Sequence, residues 1–185
     1  MSDSRAPDTS VVNFVVGQSV GNSMTALLSS AGTVFVTNNS TGRTHVILDA
    51  AGWMGPTGAS LFRSVPQARL VDTRIGTASN STSTVLQPGE TRVVKVGGVV
   101  GSPIPVSARM VAVNVTVTNG SAGGWVAVGA DPNVDIPIVN YRPYEVRAGF
   151  GWVGASTDGT VRIKNGSMGV VDVILDVQGY DSTSP

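Results

Sequence analysis

The sequence predicts an all-β fold, an antiparallel sandwich or jelly-roll-like barrel, and three features support this prediction. Short apolar runs are separated by Gly, Pro, Asn and Ser at intervals of roughly 8–12 residues, as in sandwich folds. Several runs alternate apolar and polar side chains, which is the pattern of a strand with one buried face. A long stretch of the chain also occurs twice, so the fold contains an internal repeat.

The repeat aligns residues 12–53 with residues 139–180 at a constant shift of 127 positions and without a gap. We call these stretches the N-terminal copy and the C-terminal copy. Their shared residues include small and polar side chains as well as apolar ones, so the match reflects a common structure. The identical pairs include Asn13 with Asn140, Gly32 with Gly159, Asn38 with Asn165, Gly42 with Gly169, and Asp49 with Asp176.

The sequence between the two copies, about residues 61–136, occurs only once. We therefore predict two domains. Residues 1–58 form an N-terminal β half-module that repeats residues 137–180, and residues 59–185 form a complete β module.

Within the N-terminal copy, Met24, Leu27 and Leu28 have the spacing of a helical stripe. Their counterparts in residues 151–155 are two glycines and an alanine, which cannot form an apolar stripe on a helix. The repeat therefore predicts a strand at this position in both copies.

Two strands in the single module have a clear period of two. Valines alternate with Ala, Asn and Thr in residues 111–118, and apolar residues alternate with polar ones in residues 160–164. Each strand is followed by Asn-Gly, at residues 119–120 and 165–166, which supplies the positive-φ pair of a tight hairpin turn. We therefore predict an antiparallel hairpin at each Asn-Gly.

The run Val170–Val177 is apolar on both faces apart from Asp172 and Asp176. This pattern predicts a central strand that is covered on both sides. Its partner in the N-terminal copy is Thr44–Ala51.

Composition limits the kinds of partner. Only 13% of the 185 residues are charged, and 12 basic side chains balance 12 acidic ones. No net field attracts nucleic acid or an anionic membrane, so we expect neither as a partner. Low charge favours self-association, and we expect a homo-oligomer. The absence of cysteine excludes disulfides and thiolate metal sites.

The first eight residues are polar and have no apolar core of the kind found in secretory signals. We therefore expect that the protein is either made and used without this route of export or begins here after a removed leader. No apolar run approaches the roughly 18 residues that a membrane span needs.

Five motifs together resemble a known family, the β-rich repeat domain of secreted and cell-surface proteins of actinobacteria. This domain often occurs in tandem and commonly lies beside hydrolases. The resemblance covers residues 69–180 fully and residues 10–53 as the second half only. It implies an accessory, non-catalytic module exposed on a surface, with no active site. The motifs are Leu-Val-Asp-Thr-Arg at 70–74, Pro-Gly-Glu-Thr at 88–91, Asn-Val-Thr-Val-Thr at 114–118, Val-Asn-Tyr at 139–141 and Asp-Val-Gln-Gly-Tyr at 176–180.

The 185 residues depart from that family because they contain no enzyme domain or export signal and begin within a module, at a Met1 that we expect to be the initiator. Phages of actinobacteria would gain from the multivalent weak contacts of such a domain. We therefore expect a structural protein on the virion surface, an accessory or decoration protein that binds other proteins of the capsid or tail. The alternative is an extracellular module that binds the actinobacterial cell wall or a glycan.

The acidic residues in the strands are expected to be structural. Asp49 and Asp176 occupy equivalent places in apolar runs, where an unpaired carboxylate is costly, so each should have a cationic or amide partner. Arg74 or Arg69 is the candidate for Asp176. Asp72 and Arg74, in the Leu-Val-Asp-Thr-Arg motif, should lock a strand start. A carboxylate pair for glycoside hydrolysis would need a cleft, which nothing else in the sequence suggests.

Other candidate sites have weaker support. The only histidine, His45, aligns with Asp172, so its position is not specialised for a catalytic triad and it should be a surface residue of a strand. The loop at residues 131–135 has the alternating oxygens of a calcium loop but lacks its Gly and its distant Glu. We predict no enzyme activity, metal or cofactor. Asn13 and Asn140 complete the set of structural motif residues.

Aromatic rings offer one possible binding surface, because flat rings stack on sugar faces. Trp53 and Tyr180 lie at equivalent ends of the two copies, which favours packing over sugar binding. The tryptophans and tyrosines of the chain are Trp53, Trp125, Trp152, Tyr141, Tyr144 and Tyr180.

Overall fold

The computed structural model describes residues 10–55, 58, 60–76 and 83–182. This part of the chain contains strands and no helix, and the first strand begins at residue 61. The strands are β1 (Leu61–Asp72), β2 (Thr91–Lys95), β3 (Met110–Thr118), β4 (Gly124–Gly129), β5 (Pro137–Tyr141), β6 (Arg147–Gly154), β7 (Thr160–Asn165) and β8 (Asp172–Ser182).

The strands form two antiparallel sheets of four, in the orders β1-β8-β3-β6 and β2-β7-β4-β5. Apolar side chains from both sheets fill the space between them, including Leu70, Val113, Val126, Ile163 and Leu175. The fold is therefore the predicted all-β antiparallel sandwich, and the two sheets do not close into a barrel.

The two clearest strand predictions are confirmed. The four valines of residues 111–117 are fully buried within β3, and polar residues alternate with them. β8 lies between β1 and β3, and residues 172–175 at its start are all buried. The run that is apolar on both faces is thus a central strand, as its pattern predicts.

The two predicted hairpins are wrong. Asn119 has a positive φ of 54°, as such a turn needs. However, β3 and β4 lie in different sheets, and so do β7 and β8. Each Asn-Gly therefore lies where the chain crosses from one sheet to the other. Both flanking strands bury a face in the core by this crossing, and local turn chemistry does not reveal which strand pairs with which.

In each sheet of the module, strands from its first part alternate with strands from its second part. β1–β4 and their loops, residues 61–129, are here called the first half, and β5–β8 belong to residues 137–182. Every ladder joins one strand of β1–β4 to one strand of β5–β8. No two strands of β5–β8 pair with each other. A polypeptide that contains only the second set therefore cannot form any of these ladders by itself.

The N-terminal copy illustrates this rule. Residues 10–55 contain no strand, so the strands expected there, including Thr44–Ala51, are not formed. Apolar side chains of the segment face solvent, with Val16 100%, Leu27 97% and Ile47 84% exposed. Strand-like sequence forms a strand only beside a partner, and the described part of the chain provides none for this copy.

Candidate functional site

An ion-pair cluster closes one end of the sheet that contains β1 and β8. The Asp72 side chain is fully buried and accepts hydrogen bonds from Nε and Nη2 of Arg74 at 2.9 and 2.7 Å. The backbone NH of Arg74 donates to the same carboxylate at 3.2 Å. These bonds hold the pKa of Asp72 below its usual value, even though burial opposes the charge. Asp72 and Arg74 thus lie at the end of β1, not at a strand start.

Arg69 connects this cluster to β8. Its Nε lies 2.9 Å from Asp176, and its Nη1 lies 3.5 Å from Asp72. The expectation of a cation for Asp176 is therefore confirmed, and of the two candidates Arg69 fills the position. In the N-terminal copy, the equivalent Asp49 is exposed and has no such cation within the described residues.

A second polar group joins β8 to the first half. The Asp172 carboxylate accepts hydrogen bonds from Thr73 Oγ1 at 2.7 Å and from Asn119 Nδ2 at 2.9 Å. The Thr73 hydroxyl also accepts a hydrogen bond from the backbone NH of Val173 at 2.9 Å. Each oxygen of the carboxylate thus accepts a hydrogen bond from the first half, which fixes β8 in register.

Asn165 is a further polar connection between the two halves of the module, and its Asn-Gly sequence predicts only a turn. Its amide nitrogen donates to the carbonyl oxygens of Gln87 at 2.9 Å and Gly169 at 2.8 Å. Its Oδ1 accepts from the NH and the hydroxyl of Ser167. Asn165 is fully buried. The signal that could have identified it is the Asn-x-Ser-x-Gly pattern present in both copies.

The N-terminal copy contains the same turn, at residues 38–42. Asn38 Nδ2 donates to the Gly42 carbonyl at 2.9 Å, matching the 2.8 Å bond of the C-terminal copy. Ser40 donates to Asn38 Oδ1 from its NH at 3.0 Å and its hydroxyl at 2.7 Å, and Ser167 makes both bonds to Asn165 at the same lengths.

Two further turns agree between the copies. The NH of Ser29 donates to Thr33 O at 2.9 Å, as that of Ser156 does to Thr160 O. In the first turn of each copy the residue with positive φ is Gly17, at 71°, and its counterpart Tyr144, at 59°. The N-terminal copy therefore has these turns of a module half, while the segments between them form no strands in the described residues.

The aromatic side chains do not form a common platform. Trp152 packs edge-on against Phe62, with ring centroids 5.1 Å apart, and Trp125 lies beneath Lys164 Nζ at 5.6 Å. Tyr180 packs partly buried against the core, whereas its counterpart Trp53 is 71% exposed. Packing is thus the observed role at the C-terminal end only.

The remaining candidates have ordinary surroundings. His45 is exposed and lies outside any strand. In the loop at residues 131–135, the Asp131 carboxylate accepts the NH of Asn133 at 2.7 Å, which is a local turn contact. Asn13 accepts a hydrogen bond from Ser10 Oγ at 3.1 Å, and Asn140 lies opposite Trp125 in the β4–β5 ladder.

A cleft of about 330 Å³ lies between the N-terminal copy and the module. Gly17 and Ser19 line one side, and Trp125 and Arg147 line the other. Arg147 is paired with Glu145 at 3.1 Å, so its charge is already compensated. The cleft thus offers hydrogen-bonding groups but no free charge from this pair.

Among residues 10–55, 58, 60–76 and 83–182, no group of three or more His, Cys, Asp or Glu side chains is placed to hold a metal ion. The same residues contain no helix with the length and apolarity needed to cross a membrane. No protein-family model matches the chain, and a search of curated proteins found no match.

Proposed function

We propose that the chain is a non-catalytic structural protein that works by binding within a larger assembly, as an accessory or decoration protein on the surface of an actinobacteriophage virion. The resemblance of its motifs to the surface-exposed repeat domain of actinobacterial proteins supports this role. Its partners would be other capsid or tail proteins and further copies of itself.

One observation carries the proposal. The N-terminal copy has the sequence and the turns of a module half, yet in the described residues its apolar side chains are exposed and it forms no strand. Exposed apolar surface of this kind marks a protein–protein contact, and an unpaired strand is a template for pairing with another chain. The low charge of the chain, 13%, suits burial of a large surface in an assembly.

The proposal is tested by mixing the purified chain with virus particles that lack it. We expect saturable binding at a copy number matched to the symmetry of the shell, together with greater resistance of the particles to heat. Absence of both binding and heat protection would rule out the decoration role. A chain that lacks residues 1–58 is the matched control and should not bind.

A second candidate, an extracellular module that binds the cell wall or a glycan, is favoured by two exposed rings. Tyr144 and Trp53 are 77% and 71% exposed, and such rings can stack on sugars. Sedimentation with purified actinobacterial cell walls that is lost on Trp53→Ala and Tyr144→Ala would favour this role over the virion role.

A further inference from the structure

We propose that the N-terminal copy binds a partner polypeptide that supplies the missing strands, a segment similar to the first half but different from residues 61–129 at defined positions. This inference deepens the proposed assembly role by naming the chemistry of the partner. Its test needs no virion, so it can fail or succeed independently of the decoration role.

The topology states what the partner must contain. In the complete module, β5 and β7 pair only with β2 and β4, while β6 and β8 pair only with β1 and β3. The equivalents of β5–β8 in the N-terminal copy need the same four neighbours. The fitting partner is therefore a β segment with the strand pattern of the first half, bound by strand addition in both sheets.

The N-terminal copy is prepared for such a partner. Its Asn38–Gly42 turn and its Ser29–Thr33 turn have the hydrogen bonds of the complete module. Asn38 lacks the contacts that cross to the first half, where Asn165 donates to Leu86 and Gln87, and the bond that Asn165 accepts from the Tyr141 hydroxyl, because the counterpart of Tyr141 is Phe14. Preformed turns lower the entropy that is lost on binding.

Copies of residues 1–185 cannot satisfy one another. Each copy contains one first half, residues 61–129, and two sequences with the pattern of a second half, residues 12–53 and 139–180. However the copies exchange strands, one of these sequences per chain stays without partners. The strands that pair with this remaining sequence must therefore come from a segment outside residues 1–185.

Side-chain packing also argues against the first half of this chain as the partner. A side chain at Gly166 would overlap the indole ring of Trp125, which lies directly against that glycine. The N-terminal copy has Asn39 at the equivalent position. Its partner must therefore carry a small residue where the first half carries Trp125.

A second position also indicates that the partner differs from the first half of this chain. Asp172 accepts hydrogen bonds from both Thr73 and Asn119, and its counterpart is His45. A neutral imidazole has only one acceptor nitrogen, so it cannot replace a carboxylate that accepts two bonds. The partner should therefore differ from this chain at Thr73, Asn119 or both.

Other positions show what the partner shares with the first half. Gly179 lies against the ring of Phe62, and the N-terminal copy keeps glycine there, as Gly52. Asp49 requires a cation where Asp176 meets Arg69. The partner strand that corresponds to β1 should thus carry an aromatic residue and an arginine at these two positions.

The test fuses a second first half to residues 10–185. A copy of residues 59–136 carrying Trp125→Gly is placed directly before residue 10, which aligns with residue 137. Every fusion also carries His45→Asp, which supplies the carboxylate that Thr73 and Asn119 contact in Asp172. Hydrogen–deuterium exchange is then measured for peptides of residues 33–37 and 44–50. We expect these amides to exchange about 100-fold more slowly than in the unfused chain, because they gain strand partners.

Two matched fusions test whether overlap between the tryptophan ring and Asn39 prevents strand pairing. The first keeps tryptophan in the added half and should give little protection, because the ring overlaps Asn39. The second keeps tryptophan but carries Asn39→Gly and should restore the protection. In every fusion the module of residues 61–182 reports folding internally. If neither Trp125→Gly nor Asn39→Gly protects the N-terminal copy while that module is protected, the proposal is wrong.

The unfused chain identifies the other possible occupants. Protection of residues 33–37 and 44–50 in the monomer would mean that they pair with the first half of their own chain. Protection that grows with protein concentration would mean pairing with a second copy. Either result would overturn the proposal, which expects rapid exchange at every concentration.

Discussion

Asp72 is a buried carboxylate whose charge is compensated from several directions. Two guanidinium groups and a backbone NH surround it, with Arg74 making the two shortest contacts and Arg69 the longest. Burial of a carboxylate is costly unless such partners are present. The pKa of Asp72 is therefore lowered, chiefly by the hydrogen bonds from the Arg74 side chain.

This lowered pKa predicts a specific dependence on pH. The folded state holds the pKa of Asp72 below its unfolded value of about 3.9, so the stabilisation is complete above that pH. It is lost as the pH falls through the lower, folded pKa. We expect Asp72→Asn to weaken the fall in the free energy of unfolding below about pH 4, measured by urea denaturation. An unchanged pH profile in this variant would contradict the role given to the carboxylate.

Asn165 should be far more important for stability than its equivalent in the N-terminal copy. Asn165→Ala removes the acceptor of the buried Ser167 NH and one of the donors to the Gln87 and Gly169 carbonyls, which we expect to cost about 2–4 kcal/mol. Asn38→Ala is the matched control, and because Asn38 is exposed we expect a change below about 0.5 kcal/mol. Equal losses in the two variants, measured by urea denaturation, would show that the two copies contribute alike.

The sequence could predict that Asp176 needs a cation, because the cost of an unpaired carboxylate in an apolar strand is general. It could not distinguish Arg69 from Arg74, because both lie near the end of the same strand. The β1–β8 ladder decides the matter by placing Arg69 directly opposite Asp176. Selection between two neighbouring arginines is thus a consequence of strand register.

At the scale of strands, close contacts at glycine determine which sequences the first half accepts. The Gly166–Trp125 contact is the clearest case. Gly166→Asn introduces the residue of the N-terminal copy against the indole ring, and we expect a loss of about 1–3 kcal/mol from overpacking. The loss should be smaller when Trp125→Gly is present, so a double-mutant cycle should give a favourable coupling. Additive effects of the two changes would contradict this packing.

The sequence predicts a strand correctly where the burial of one face determines the pattern, as in β3. It fails where the outcome depends on which strands pair with each other. The alternation of valines in β3 was sufficient because half-burial produces that pattern directly. The Asn-Gly turns were misleading because they fit a hairpin as well as a crossing between sheets. The N-terminal copy has strand-like sequence throughout, yet forms no strand, because strand formation depends on neighbours that local sequence does not reveal.

At the scale of the whole molecule, stability should reside in the complete module. The buried apolar residues of the described chain all lie between Leu70 and Val177, and none belongs to the N-terminal copy. We therefore expect removal of residues 1–58 to change the free energy of unfolding by less than about 1 kcal/mol. A much larger loss, measured by thermal and urea unfolding, would show that the two parts form one cooperative unit.

The most direct test of the account compares two equivalent peptides within one molecule by hydrogen–deuterium exchange. Residues 46–50 and 173–177 contain the same Val-Ile-Leu-Asp sequence and differ mainly in whether partner strands are present. In the isolated, unmodified chain we predict that residues 46–50 exchange within seconds while residues 173–177 remain protected for hours. Equal protection of the two peptides would contradict the claim that the N-terminal copy is a module half without its strands.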